Sequence, residues 1–491
     1  MIKIKLSDII KKQPIINIGT IGHISHGKST VINSIANAYT PKAIAKANTP
    51  KAITNTHICQ KRSEYSPEQI RNINIDYINT KIWYKKDLCT IEFKTTNSNI
   101  DLDDPWRLYK HLSFIDFPGQ NIYLSSMINA SSTIDCAIFV ISGSDDTFPQ
   151  FQTVEYMNKA SKLKFNDILI LHNKLDLIRE EKAAKNYDHI INIMKASPYE
   201  NKTILPISAI NNINIDSVIR WLSIKKPSNL KFENNRIVFN IVKSYDSNNP
   251  PINIDEIKGG CVFGILKEGI ISVGDYIEIK PGFMINGKPK KIYAKVLEIY
   301  SDKNKLDYAI PGGMIEIQLD IDSYLTKNNR LSGQIMGYNI EDYKVYQKFS
   351  LKIKPIKSDI GVTLNERLIR NPKVYININS SMIEVTIDKI KDNKINITSK
   401  IPITINEDSK IAIITVVSIN EIETNVDFYG YLKDGTEIEY NSKIDDEYER
   451  IYDEYEPNKY EIIDDLSRDT EEIEKEIEFN YDELLKNIKF L

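Results

Sequence analysis

Residues Gly22-His23-Ile24-Ser25-His26-Gly27-Lys28-Ser29 constrain the fold of this chain more than any other stretch. Two glycines five positions apart let a backbone wrap a phosphate chain. Lys28 then meets the β and γ oxygens, and the Ser29 hydroxyl ligates Mg²⁺. Such a loop works only between a strand and the helix whose N-terminus faces the anion. The apolar run Ile15 to Thr20 supplies the strand, and apolar spacing from Thr30 to Asn37 supplies the helix. Gly22, Ser25, His26, Gly27, Lys28, Ser29 and Thr30 are thus the expected phosphate contacts.

Three further motifs follow in order, each at a strand end. Asp116-Phe117-Pro118-Gly119 closes the run His111 to Ile115, which places the Asp116 carboxylate at the metal's water shell and the Gly119 amide at the γ-phosphate. Asn173-Lys174-Leu175-Asp176 closes another run, and a carboxylate at Asp176 can accept hydrogen bonds from both guanine N1 and the 2-amino group. Adenine cannot offer that pair, so GTP and GDP are the expected nucleotides rather than ATP. Ser208-Ala209-Ile210 follows the strand Ile204 to Ile207 and suits a backbone amide aimed at the guanine oxygen.

Strand candidates Ile15 to Thr20, His111 to Asp116, Cys136 to Ser142, Asp167 to His172 and Ile204 to Ile207 alternate with helical stretches. That rhythm indicates a mostly parallel, doubly wound sheet. Beyond Lys225-Lys226-Pro227, short alternating strands punctuated by Gly, Pro, Asn and Asp indicate two barrels, divided near Gly337 to Tyr343. The expected fold class is an α/β P-loop GTPase domain followed by two β-barrel domains and an acidic C-terminal extension. Its units run 1–225, 226–342, 343–435 and 436–491. In the last, Ile473, Ile477, Leu484, Ile488 and Leu491 have the spacing of an amphipathic helix.

The formal charge of −3 over 491 residues conceals an asymmetry. Ile444 to Leu491 holds 18 acids against 6 bases, which leaves 58 bases against 49 acids elsewhere, an excess suited to a phosphate-bearing partner. The near-repeat Thr40-Pro41-Lys42-Ala43-Ile44 and Thr49-Pro50-Lys51-Ala52-Ile53 reads as a basic insertion at 40–60. Cys59, Cys89, Cys136 and Cys261 form no CxxC pair, so neither a disulfide framework nor a cysteine-based zinc site is expected. With no apolar run long enough to span a bilayer and no signal-like N-terminus, the expectation is a soluble, cytoplasmic protein with no membrane partner. His57, His111 and His172 read as packed or polar residues rather than ligands.

Stretches beyond these motifs resemble the gamma subunit of eukaryotic and archaeal translation initiation factor 2, a translational GTPase family related to elongation factor Tu. They are Asn17-Ile18-Gly19-Thr20-Ile21-Gly22-His23, Lys258-Gly259-Gly260, Ile279-Lys280-Pro281-Gly282, Tyr308-Ala309-Ile310-Pro311-Gly312-Gly313 and Asn329-Arg330-Leu331-Ser332-Gly333-Gln334-Ile335-Met336-Gly337. The resemblance spans roughly residues 13 to 340, weakens over 345 to 435 and finds no counterpart after 436. It implies GTP-dependent delivery of initiator methionyl-tRNA to the small ribosomal subunit, together with alpha and beta subunits and GTPase-activating and exchange factors. It also implies that Tyr77, after the first switch, stacks on the tRNA's terminal adenosine, a contact worth about 1–3 kcal/mol.

Two positions depart from the family pattern. Asn74, in Arg71-Asn72-Ile73-Asn74-Ile75, replaces the threonine that joins the Mg²⁺ shell, and Gln120 replaces the histidine that orients the attacking water. Either Gln120 positions water competently or hydrolysis is slow, since Ras-like enzymes with glutamine there turn over at about 10⁻⁴ s⁻¹ unaided. The alternatives to initiator delivery are an elongation-type or selenocysteine-type carrier, and a hydrolysis-impaired decoy that sequesters tRNA or the other subunits.

Overall fold

The computed structural model describes residues 2–36, 76–87, 91–117, 133–144, 148, 153–154, 157, 165, 167–195, 199–200, 202–227, 232, 235–248, 258–355, 374–391, 393–418, 423–440, 447–466 and 473. Asn74, Gly119, Gln120, His57, the 40–60 insertion and nearly all of the anticipated final helix lie outside them.

The first domain is built on a seven-stranded sheet in the order Ile91–Asn97, Asp76–Lys86, Arg107–Asp116, Ile16–Ile21, Cys136–Ser142, Ile168–Asn173, Ile204–Pro206. The last five are parallel to one another, whereas Asp76–Lys86 runs antiparallel to both its neighbours. Central parallel strands are covered on both faces, which is why Cys136–Ser142 and Ile168–Asn173 are buried at every position. Leu112, Phe114, Ile18, Ile32, Ile35 and Leu169 form the heart of the core on one side of the sheet.

Two closed six-stranded barrels follow. The first runs Tyr276–Ile285, Ile335–Tyr338, Ile237–Tyr245, Cys261–Glu268, Ile315–Leu319, Lys288–Ser301 and back to its start. The second runs Lys344–Pro355, Lys394–Ile405, Ser381–Lys391, Val374–Ile378, Ile411–Ser418, Glu423–Glu437 and closes likewise. Closure pairs the first and last strands of each ring, and the short strand Asn304–Leu306 is added to the first barrel beside Lys288–Ser301.

Domain one and the first barrel meet through backbone-directed contacts. Gln13 donates from Nε2 to the Ile310 carbonyl at 2.6 Å and accepts from the Ile310 amide at 3.2 Å. Asn17 Nδ2 donates to the Gly312 carbonyl at 2.8 Å, and the Gly313 amide donates to Pro14 at 2.8 Å. A Cβ on Gly313 would stand 2.3 Å from the Pro14 ring, so this close approach requires glycine. Asp302, at a barrel hairpin, accepts from Asn79 and Ser98 of the first domain at 2.8 and 2.6 Å.

The acidic segment is ordered in part and folds back. Glu447–Glu454 is a helix on the first barrel, and Tyr460–Ile463 pairs in parallel with Ile2–Lys5. Ile473 is buried in the core of the first domain.

Candidate nucleotide site

The motif residues converge at the carboxyl ends of the parallel strands, where open α/β sheets hold ligands. The loop Gly22–Gly27 leaves the strand Ile16–Ile21, and the helix Lys28–Ala36 starts at its far end. The amides of the first helical turn face the loop without intrahelical acceptors, a favourable environment for anions. Gly27 has a φ of +90°, and a Cβ there would stand 2.6 Å from Asn173 Nδ2. Ser25 also adopts the left-handed conformation, at φ 63°.

Lys28 is buried and donates from Nζ to the Gly22 and His23 carbonyls, each at 3.0 Å. Burial lowers its pKa, and the nearby Asp116 carboxylate opposes that shift. The ammonium is thus held over the loop by carbonyls that a phosphate oxygen can replace. Ser29 Oγ donates to Asp116 Oδ2 at 2.6 Å, and Thr20 Oγ1 donates to Asp116 Oδ1 at 3.1 Å. Ser29 and Asp116 therefore present neighbouring oxygens of the kind a hard divalent cation takes. The sequence reading did not include Thr20, which orients Asp116 from the adjacent strand. Thr30 is exposed on the first helical turn.

At the other end, Asn173 braces three segments. Its Nδ2 donates to the His26 carbonyl at 3.1 Å, and its Oδ1 accepts from the Ala209 amide at 3.2 Å. Its own backbone carbonyl accepts from Gly143. Lys174 turns into the left-handed region at φ 65°. Ser208 Oγ donates to Asp176 Oδ1 at 2.6 Å and so fixes the carboxylate's orientation. Leu177 and Ile210, on the segments carrying Asp176 and Ser208, are 63% and 71% exposed, unusual for large apolar side chains. His26 is buried, with Nδ1 donating to the Val140 carbonyl at 3.1 Å. His111 and His172 are both buried.

Tyr77 lies apart from this cluster. It is half-buried at the seam between the first domain and the first barrel, its ring centroid 5.2 Å from that of Phe263. Burial pushes its hydroxyl well above the usual phenol range, and the charges of Asp302 and Glu316 add to the shift.

The family description "Elongation factor Tu GTP binding domain" matches residues 13–228. Among solved structures, translation elongation factor SelB from Methanococcus maripaludis, apo form, is similar with a TM-score of 0.58 at 15% identity. That match covers 87% of this chain and 80% of SelB, and at this identity it is a likeness of fold. Fold, motif geometry and family match together define a translational GTPase, a guanine-nucleotide-binding domain followed by two barrels. Eukaryotic translation initiation factor 2 subunit gamma of Schizosaccharomyces pombe is 30% identical over 401 residues, covering 76% of this chain and 84% of that protein. Eukaryotic translation initiation factor 2 subunit 3 of Drosophila melanogaster is 28% identical over 433 residues, covering 83% and 86%. The chain belongs to the family of translation initiation factor 2 gamma subunits, and as such is a GTP-binding GTPase of translation initiation. No helix among the described residues is long and apolar enough to cross a membrane.

Proposed function

We propose that this chain carries initiator methionyl-tRNA to the small ribosomal subunit in a GTP-dependent manner, as a gamma-type subunit working with alpha and beta partners. One observation carries the reading beyond family membership. The strand Asp76–Lys86 pairs with Arg107–Asp116 in the register Asp76↔Asp116 and Tyr77↔Ile115. The carboxylate of the metal site and the tyrosine at the barrel seam therefore belong to one hydrogen-bonded ladder. No loop separates Asp116 from Tyr77 along that ladder, which supports a coupling between the nucleotide site and the tRNA contact.

When bound, GTP with Mg²⁺ would supply the phosphate charge and the anhydride bond that is hydrolysed. Lys28 neutralises phosphate charge after exchanging its carbonyl partners, while Ser29 and Asp116 provide oxygens toward the cation. Asn173 holds the phosphate loop against Ala209, and Asp176 selects guanine. In this reading Asn74 completes the metal shell, Gln120 orients water, and Tyr77 offers its ring to the tRNA's terminal base. The working units are 1–225, 226–342, 343–435 and 436–491, supported by a first barrel whose final strand ends at Tyr338 and a second whose first strand begins at Lys344.

Filter binding of charged initiator tRNA with a GTP analogue and with GDP, at fixed salt, tests the proposal. The expected result is at least about tenfold tighter binding with the analogue, roughly 1.4 kcal/mol of coupling. Equal binding in both states would contradict a nucleotide-gated carrier and favour a decoy. Preference for an elongator or selenocysteine tRNA would move the chain to the elongation type.

A further inference from the structure

The stretch from Tyr455 to Asp465 touches two bodies at once. On the first barrel, Tyr455 donates to Asp275 Oδ1 at 2.5 Å, and the hydroxyl of the buried Tyr460 lies 2.6 Å from Ser272 Oγ. On the first domain, Tyr460–Ile463 is laddered in parallel to Ile2–Lys5, and Asp465 accepts from the Ser7 amide and hydroxyl at 3.0 and 2.6 Å. Ile462 and Leu466 pack on the core of that domain. Just upstream, the helix Glu447–Glu454 lies along the barrel hairpin formed by Tyr276–Ile285 and Lys288–Ser301. Its Tyr448 ring is 6.2 Å from that of Tyr276, and its Tyr452 ring is 5.2 Å from those of Tyr293 and Tyr338.

The gripped strand leads straight into the joint between the two bodies. Ile2–Lys5 runs into the helix Leu6–Lys12 and then into Gln13, Pro14 and Asn17, which hold Ile310, Gly313 and Gly312 of the barrel. From there the strand Ile16–Ile21 ends at the phosphate loop. The joint is made largely of hydrogen bonds, with Ile270 and Ile310 adding apolar contact to the core of the first domain. Interfaces of that kind between domains of one chain ordinarily permit relative movement. A second attachment across the same seam opposes it. When the joint parts, the attachment keeps its two sides at an effective concentration of the order of millimolar, and reclosure is favoured.

We propose that the tail from Glu447 to Asp465 is a strap that keeps the nucleotide domain closed on the first barrel, so that the seam opens freely only when one end of the strap lets go. The barrel end is the weaker of the two. No residue of the helix is buried, whereas a permanently docked helix buries an apolar stripe. A cleft of 420 Å³ also lies beside it, lined in part by Tyr293, Tyr338 and Tyr452. The other end has a strand ladder and a doubly bonded Asp465. Nothing in the strap depends on tRNA delivery, and its test measures the seam without tRNA.

The test uses the full chain with GDP bound and reads hydrogen exchange by mass spectrometry. The amides of Ile310 and Gly313 report the seam directly, because they donate across it to Gln13 Oε1 and the Pro14 carbonyl. Tyr455→Phe with Tyr460→Phe keeps both rings and removes only the hydroxyls that hold the barrel. In this variant the peptide carrying Ile310 and Gly313 should exchange at least about tenfold faster, while Cys136–Ser142 keeps its protection. Unchanged exchange at Ile310 and Gly313 overturns the strap. Equal acceleration at Cys136–Ser142 also overturns it, since that marks a general loss of stability. A protease site inserted between the exposed Asn458 and Lys459 gives a second reading. Cutting there should speed exchange at Ile310 and Gly313 relative to the same chain uncut, and no change on cutting refutes the strap even if the tyrosine variant does not fold.

Discussion

Asp176 shows how much chemistry a single side chain can carry when its neighbour fixes it. Ser208 Oγ donates to one carboxylate oxygen, so the group is presented in one orientation rather than swept through many. Asp176→Asn replaces one acceptor with a donor and sets that donor against a donor of guanine. The expected result is a loss of GDP affinity of roughly three orders of magnitude, with a gain for xanthosine diphosphate, which offers an acceptor where guanine has its amino group. Competition binding with the two diphosphates checks this, and an unchanged preference would place the base elsewhere. The spacings of Gly22 to Ser29 and Asn173 to Asp176 were legible because each role demands a residue type at a fixed offset along the chain. Thr20, Gln13 and Asn17 were not legible as working residues. Their partners Asp116, Ile310 and Gly312 are brought near only by the folded structure.

At the scale of elements, the strand Arg107–Asp116 carries a titration signature. His111 on that strand is fully buried, and its Nδ1 donates to the Ile10 carbonyl at 2.9 Å. Burial, and then the charge of Lys81, lowers its pKa from 6.5 to about 3. Between those values the unfolded chain binds the proton and the folded chain does not. This group's contribution is therefore complete above the unfolded pKa and is lost as pH falls toward the folded one. Relative to pH 7, stability at pH 5 should drop by about 2 kcal/mol on its account. Urea melts at the two pH values measure the drop, and His111→Gln should remove most of it; an unchanged difference would refute the assignment. The five parallel strands could be read as apolar runs because burial on both faces leaves no room for alternation. The antiparallel strands Asp76–Lys86 and Ile91–Asn97 were missed because Lys81, Lys85, Thr95 and Thr96 break up the apolar pattern. Trp83 Nε1 donates to Thr96 Oγ1 and Lys81 pairs with Asp101, satisfactions invisible until the strands are laid together. The tail helix Glu447–Glu454 escaped notice for a related reason, since its contacting face is tyrosine rather than aliphatic. Of the five apolar positions expected to mark a final helix, only Ile473 is among the described residues, and it is buried against the first domain.

For the whole molecule, the order of an α/β domain and two barrels followed from where the sequence changes rhythm near Lys225, but the joint between the parts did not. That joint depends on Gln13, which satisfies both backbone groups of Ile310 in a buried setting. Gln13→Ala leaves a buried donor and acceptor without partners and should destabilise the chain by about 2–4 kcal/mol, measurable as a lowered denaturant midpoint. A change below about 0.5 kcal/mol, the range of ordinary surface substitutions, would show the joint to be held elsewhere. The pairing of Ile2–Lys5 with Tyr460–Ile463 extends the argument from space to time. Ser7 and Asp465, which reinforce it at 2.6 Å, stand 458 positions apart. At about 5–20 residues per second of synthesis, the early strand waits roughly 20–90 s for its mate. During that interval the nascent chain exposes an unmatched strand beside a nearly finished nucleotide domain, a vulnerability that ends only when the late segment arrives.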